Sequence, residues 1–395
     1  MSPALRFARD FLVSLKLTVV LLALGLILVF AATLDQVNLG IWGIQEKWFR
    51  SFVVFQQSGT SSFPVFPGGY SIGGLLLANL IAAHVYRFKR SWKKVGIELT
   101  HLGVILLLIG ELLSGLWQED FAMRITEGET KSYSESHHDN ELAIIDTTNP
   151  EFDEVVAIPE ALLATREPIQ HPKLPFRVVV KEYFPNSGLS MRDAASTKPP
   201  QATAGVGASV MATGLPMTYK QDERNLPSAS VELVGPAGSL GTWLVSPRIS
   251  SPFSPPFLAA PQTFTHEGRT YRIALRFARH YKPFSLTLLK FSHDRYAGTE
   301  IPKNFSSKLR LTSPEGHDDR EVLIYMNNPL RYAGLTFYQS GYDGEQTTVL
   351  QVVRNPSWQM PYVACALMTL GLLWQFSIHL VGFFEKRAAK QEAAS

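Results

Sequence analysis

Cysteine is nearly missing: Cys365 is the single thiol in 395 residues. That excludes an internal disulfide framework, a CxxC redox pair, a thiolate zinc cluster and a CxxCH site for covalent haem attachment. Charge is scarce as well. Asp, Glu, Lys and Arg make up 18% of the chain, and 37 basic against 34 acidic residues leave a net charge of +3, too little for a nucleic-acid binder. No GxxxxGK[ST], GxGxxG or HExxH occurs, so P-loop, dinucleotide and metalloprotease readings have no support. Gly69-Tyr70-Ser71-Ile72-Gly73 matches G-x-S-x-G, but it opens an apolar run instead of joining a strand to a helix, and we read it as a chance match. No internal repeat is present.

What the chain has in excess is apolar surface. Hydrophobic residues reach 46% and the mean hydropathy is +0.03, high for a soluble protein. Four runs are long enough to cross a bilayer: Phe11 to Ala32, Tyr70 to Tyr86, Val95 to Trp117 and Trp358 to Phe384. The first follows Arg6 and Arg9 and lacks a small-x-small cleavage site after Ala32, which predicts an uncleaved anchor. Arg87, Lys89, Arg90, Lys93 and Lys94 crowd the loop between spans two and three, and Lys386, Arg387 and Lys390 follow span four. The positive-inside bias then predicts that both termini and this loop are cytoplasmic. Trp117 and Trp358 fall at the opposite, outer ends, where an indole prefers the headgroup region.

These runs predict an α + β membrane protein, with four transmembrane helices and a large all-β extracytoplasmic domain, sandwich or barrel, inserted between spans three and four. The expected domains are 1–117, 118–357 and 358–395. Within the second, short β-rich stretches (Phe176 to Tyr183, Ser230 to Val234, Tyr271 to Phe277, Phe284 to Phe291, Val349 to Val353) alternate with Gly, Pro, Asn and Asp clusters. Residues 185–227, rich in Ala, Ser, Gly, Pro and Met and without periodicity, read as a long loop. In the first external loop Ile41, Ile44, Trp48, Phe52 and Phe55 recur at helical spacing, predicting a helix that lies flat on the outer leaflet or packs under the external domain.

Three histidines fall inside apolar runs: His84, His101 and His379. At about 1.5 Å rise per residue, His101 lies ~10 Å beyond Lys94 and His379 the same distance before Lys386. An ionisable side chain at such depth costs free energy unless partnered, and imidazoles from different helices at one level suit axial ligation of a haem iron. Hydrogen bonding between helices is the competing reading, and for the shallower His84 it leads. Glu98, one turn before His101, is placed either to take the ring N–H not used for ligation or simply to sit in the interfacial water. Glu111 also lies within the third run, with no role that the pattern assigns.

Phe11 to Leu22 (FLVSLKLTVVLL), Ala32 to Trp42 (ATLDQVNLGIW), Thr100 to Gly110 (THLGVILLLIG), Tyr296 to Leu311 (YAGTEIPKNFSSKLRL) and Met326 to Asp343 (MNNPLRYAGLTFYQSGYD) together resemble the ResB/CcsB family. So does the layout of three spans, a large external domain and a fourth span. The resemblance implies cytochrome c maturation in a bacterial inner (cytoplasmic) membrane. A protein of this kind works with a CcsA/ResC-type partner to carry haem across the membrane and present it to the CxxCH of apocytochrome c, with thiol-reducing proteins keeping that motif reduced. It implies transient haem binding with His101 as the iron ligand, His84 and His379 as secondary candidates, a second axial ligand from the partner and no catalytic residue of its own. The chain would be an accessory subunit of a cytochrome c synthase. Two rivals stay open: a membrane b-type cytochrome passing electrons to or from quinone, and a non-haem scaffold whose histidines only bond between helices.

Overall fold

The computed structural model describes residues 3–58, 61–87, 91–192, 199–218, 224–251, 254–296, 298, 302–313 and 318–392. The chain falls into two compact units, one formed mainly by Met1–Glu119 with Arg354–Ser395, the other by Asp120–Thr218 with Asp222–Val353.

In the first unit a short helix α1 (Pro3–Leu12) precedes α2 (Leu15–Ile44). A hairpin of β1 (Val53–Ser58) and β2 (Ser61–Pro67) leads to α3 (Gly69–Arg87), α4 (Val95–Trp117) closes this part of the chain, and the last helix of the chain, Met360–Glu392, joins it. The stretches Leu15–Ile41, Gly69–Arg87, Trp92–Trp117 and Met360–Gln391 are long and apolar enough to cross a membrane.

The expected surface helix over Ile41 to Phe55 is corrected. Gly40 adopts φ 68°, ψ 176° and kinks α2, and helical geometry stops at Phe49. Phe52 and Phe55 belong instead to the turn into β1 and to β1 itself, where the β-branched pair Val53-Val54 favours extension. Asp35, within the ATLDQVNLGIW stretch, fixes this corner by accepting from Lys47 Nζ at 2.8 Å and Trp48 Nε1 at 2.9 Å.

The second unit is built from β3 (Glu119–Thr126), β4 (Thr130–Asp146), β5 (Glu154–Pro159), α5 (Glu160–Thr165), β6 (Arg177–Phe184), β7 (Ser187–Met191), β8 (Val210–Gly214), β9 (Ser228–Gly235), β10 (Gly238–Val245), β11 (Gln262–His266), β12 (Arg269–Arg295), β13 (Pro302–Thr312), β14 (Asp319–Tyr325), β15 (Leu330–Tyr332), β16 (Leu335–Asp343) and β17 (Thr347–Arg354). Ten of these strands form one sheet with the path β14-β13-β12-β4-β3-β17-β16-β15, to which β5 and β11 add. Its edges, β14 and β15, are consecutive in the chain and joined by a tight turn. Asn327 adopts φ 63° there, and Asn328 N donates to Tyr325 O at 2.9 Å, a left-handed conformation that asparagine tolerates. The sheet thereby curls into a nearly closed barrel. Alternate residues point inward, as period-2 patterning requires: Phe121, Met123 and Ile125 from β3, Leu286 and Leu288 from β12, and Phe337, Leu350 and Val352 from the far side.

A second core lies where β4, β5, β11 and β12 continue past the barrel and the three-stranded sheet β10-β9-β6 packs on them as a sandwich. Leu142, Ile144, Val156 and Ile273 meet Val178, Val231, Leu233 and Trp243 there. Sandwich and barrel thus share two long strands. The stretches expected as separate strands, Tyr271 to Phe277 and Phe284 to Phe291, are one strand, β12. Pro283 between them sits where the register with β4 jumps from Tyr281 to Leu286, so its missing N–H takes no ladder bond.

The 185–227 segment is likewise not simply a loop. Among its described residues β7 and β8 pair as a hairpin, and Ala202, Val210 and Ala212 bury against Leu244, Ile249 and Leu258. Its core is made of small side chains, which carry little hydropathy signal. Residues 193–198 and 219–223 of this segment lie outside the described residues.

Candidate functional site

The site expected in the helical unit depends on how α4 is held. Gly96, Gly103 and Gly110 recur every seventh residue and face the final helix, α6 (Met360–Glu392). A Cβ on Gly96 would lie 2.6 Å from Gly371 O, one on Gly103 would lie 2.5 Å from Met368 Cγ, and one on Gly110 would lie 2.9 Å from Met360 Cβ. Bare backbone therefore lets the two helices touch, the usual small-residue solution where no hydrophobic force drives helix association. At the far end polar groups lock the pair. Asn355 Nδ2 donates to Ser114 Oγ at 3.1 Å and to Gln118 Oε1 at 3.1 Å, and Ser357 Oγ donates to Gly110 O at 3.3 Å.

His101 is five residues past Gly96, about 140° around α4 from this seam, and its side chain is exposed. Its Nδ1 lies 2.8 Å from Ile97 O, one turn back. A carbonyl only accepts, so Nδ1 carries the proton and the lone pair of the neutral ring is on Nε2. Nε2 makes no hydrogen bond among the described residues. This tautomer is the one an axial metal ligand requires, with the backbone supplying the orienting bond.

Glu98 does not serve His101. Its Oε2 lies 3.1 Å from His84 Nδ1, pairing α4 with α3 through two partly buried side chains. The expectation that Glu98 orients His101 is thus replaced by a carboxylate–imidazole pair on His84 and a backbone bond on His101. His379 sits on α6, where the Gln375 amide one turn earlier donates to its Nε2 at 2.9 Å. The structure therefore pairs His84 with Glu98 and His379 with Gln375. Among the described residues it gathers no group of three or more His, Cys, Asp or Glu suited to a metal ion. Of the basic loop, Arg87, Lys93 and Lys94 are described, while Lys89 and Arg90 lie outside the described residues. Glu111 is exposed on α4.

Two positioning features escaped sequence reasoning. Asn79, 2% exposed on α3, donates Nδ2 to Leu12 O at 2.6 Å and Ser14 O at 3.2 Å and accepts from Thr18 Oγ1 at 2.7 Å. It supplies a donor to the Leu12 carbonyl where α1 breaks from α2 and a further one to Ser14 O, which also accepts from Thr18 N at 3.4 Å. The other is the glycine seam, whose seven-residue period was visible in the third run.

In the β unit the aromatic residues of MNNPLRYAGLTFYQSGYD divide. Phe337 is fully buried in the barrel and Tyr332 packs edge-on against Phe284 at 4.9 Å, whereas Tyr338 and Tyr342 are 38% and 37% exposed. Gln339 of the same stretch enters a buried network, with Ser307 Oγ donating to its Oε1 at 2.6 Å and Gln339 Nε2 donating to Thr348 Oγ1 at 2.8 Å. Lys282 donates to Ser134 Oγ at 2.6 Å, and burial pulls its ammonium down to about 8. Burial, reinforced by Arg224, also holds His137 below its ordinary value.

The ResB-like family model matches residues 260–349, the stretch that runs from β11 into β17 and supplies much of the barrel. Protein NrfI of Wolinella succinogenes is 40% identical over 93 residues, 23% of this chain and 10% of that protein. The cytochrome c biogenesis protein CcsB of Synechococcus sp. (strain WH7803) is 40% identical over 77 residues, 20% of this chain and 17% of its own length. A second protein of that name, from Picosynechococcus sp., is 31% identical over 98 residues, 25% of this chain and 21% of its own length. The matched stretches thus span between a tenth and about a fifth of these relatives.

Proposed function

From the premise that the chain belongs to the ResB/CcsB family, we propose that it is a membrane subunit of cytochrome c maturation which handles haem as cargo and not as a resident cofactor. In this reading the four apolar helices cross a bacterial inner membrane with both termini on the cytoplasmic side, and the β unit stands outside. A CcsA/ResC-type partner completes the complex, and apocytochrome c receives the haem.

The observation that carries the reading is the state of His101. Its Nδ1–H is spent on Ile97 O and its Nε2 has no partner among the described residues, on a side chain that faces away from the glycine seam. An exposed imidazole within an apolar helix is costly unless something meets it, and a haem iron shared with a partner subunit would do so. His101 would supply one axial bond through Nε2, and the partner the other. Arg87, Lys93 and Lys94 near the same end of α4 would attract the propionates. His84 and His379 remain secondary ligands: Glu98 sits at Nδ1 of His84, where an orienting partner belongs, whereas Nε2 of His379 is reachable only once Gln375 gives way.

The scaffold reading has one observation in its favour: His84 makes the kind of interhelical bond it expects. Replacing His101 by Ala in the organism separates the two. Our reading expects holocytochrome c to fall at least tenfold while apocytochrome export continues. Normal haem attachment in His101→Ala would defeat it and leave the scaffold.

A further inference from the structure

A cavity of about 810 Å³ in the β unit is one the family-model segment barely touches. Phe277 is the one lining residue within 260–349, and the rest come from the 185–227 segment and from 247–258. Its volume lies within the ~300–1,000 Å³ usual for small-molecule sites. The lining is mixed polar and apolar, and two of its apolar side chains are left open to solvent: Leu215 is 48% and Phe257 47% exposed.

The polar groups of the wall are consumed internally. Asn186 donates to Pro216 O at 2.6 Å and accepts from Leu226 N at 3.1 Å, and Ser254 Oγ donates to Arg248 O at 2.7 Å. Two guanidinium groups are the exception. Arg248 makes no side-chain hydrogen bond or ion pair among the described residues. Arg224 lies 5.1 Å over the Phe277 ring and donates to His137 Nδ1 at 3.3 Å; it makes no direct ion pair among the described residues, and the Glu135 carboxylate, itself paired with Arg279, acts on it only at longer range. A salt-bridged arginine is an ordinary surface feature. Two that make no direct ion pair on one cavity ask for an anion, and a guanidinium matches a carboxylate in a planar, two-bond geometry.

We infer that this cavity binds an amphipathic carboxylate, an apolar body lying along Leu215, Phe257 and Phe277 with its acid groups on Arg224 and Arg248. Porphyrin dicarboxylates and fatty acids share this chemistry. That the natural ligand is a porphyrin rests on the cargo reading above; the site itself does not.

The test uses the full-length protein in lipid nanodiscs, with protoporphyrin IX fluorescence measured against empty nanodiscs. Saturable binding is expected, weakened at least tenfold in Arg224→Gln/Arg248→Gln and in Leu215→Glu, an exposed wall position that tolerates a polar side chain. Protoporphyrin IX dimethyl ester, lacking both acids, should bind at least tenfold more weakly than the diacid. Displacement by palmitate at lower concentration than by porphyrin would assign the site to acyl carboxylates; the reverse order would assign it to the cargo. Unchanged affinity in both variants, or equal binding of the ester, would overturn the inference. His101→Ala should bind the probe normally here, so loss of this site and loss of the transmembrane reading give different results.

Discussion

In the helical unit Val37 is 88% exposed and Phe7 and Leu26 are each 74% exposed, while Asn79 is 2% exposed and pinned by three hydrogen bonds. In the β unit Phe337, Leu286 and Leu350 are fully buried, and charged pairs such as Arg310 with Asp319 lie on the surface. One unit turns its apolar side chains out and its polar ones in, and the other does the reverse. Each arrangement is stable only in its own surroundings, lipid for the first and water for the second. The cohesion differs accordingly: the β unit is held by buried area, the helices by close backbone approach and satisfied polar groups.

Phe337→Ala should strike the β unit hardest. Removing a fully buried ring leaves a cavity worth about 3–5 kcal/mol, read as a lower denaturant midpoint for that unit alone. If the helical unit melted with it, the division into two differently held parts would be wrong. Gly103→Leu should cost the α4–α6 pair ~1–3 kcal/mol through overpacking, because even its Cβ meets Met368 Cγ at 2.5 Å and Ala364 O at 2.8 Å. Gly74→Ala, with nothing within 4 Å of the added carbon, is the neutral control in the same thermal-unfolding series. Asn79→Ala should cost about 1–2 kcal/mol by removing the side-chain donor to the Leu12 carbonyl and the acceptor of Thr18 Oγ1, seen as faster hydrogen exchange across residues 12–18.

The smallest effect is a pH dependence in the β unit. Lys282 titrates near 8 in the folded chain against 10.5 for the ordinary group, so between these values the unfolded chain holds the extra proton. Stability should therefore rise as pH goes from about 8 to 10.5, by on the order of 1 kcal/mol once screening is allowed for. Lys282→Met should flatten that slope in denaturant titrations.

The contrast between the two units also explains what could be read from sequence. Runs such as Val95 to Trp117 and alternations such as Phe284 to Phe291 announce their elements because a helix in lipid and a strand in a core each impose one period. Legibility failed where several small effects decide. Pro283 looked like a strand boundary, yet a register jump absorbs it. Ala202 and Ala212 looked like loop residues, yet their small size is what lets them pack. At the site, the histidines stood out as ionisable groups in apolar runs, but their partners did not. The choice of Glu98 between His84 and His101 depends on which face of α4 meets α3, and that is fixed by Gly96, Gly103 and Gly110 on the opposite side.

The central claim is that His101 meets a haem iron through Nε2. It is tested most directly by co-expressing the chain with a CcsA-type partner, purifying the complex in detergent, and recording the reduced-minus-oxidised haem spectrum of wild type and His101→Ala. With His101 on the iron, the variant loses haem or changes axial ligation, and added imidazole restores the wild-type spectrum. An unchanged spectrum would contradict it, removing His101 as a ligand.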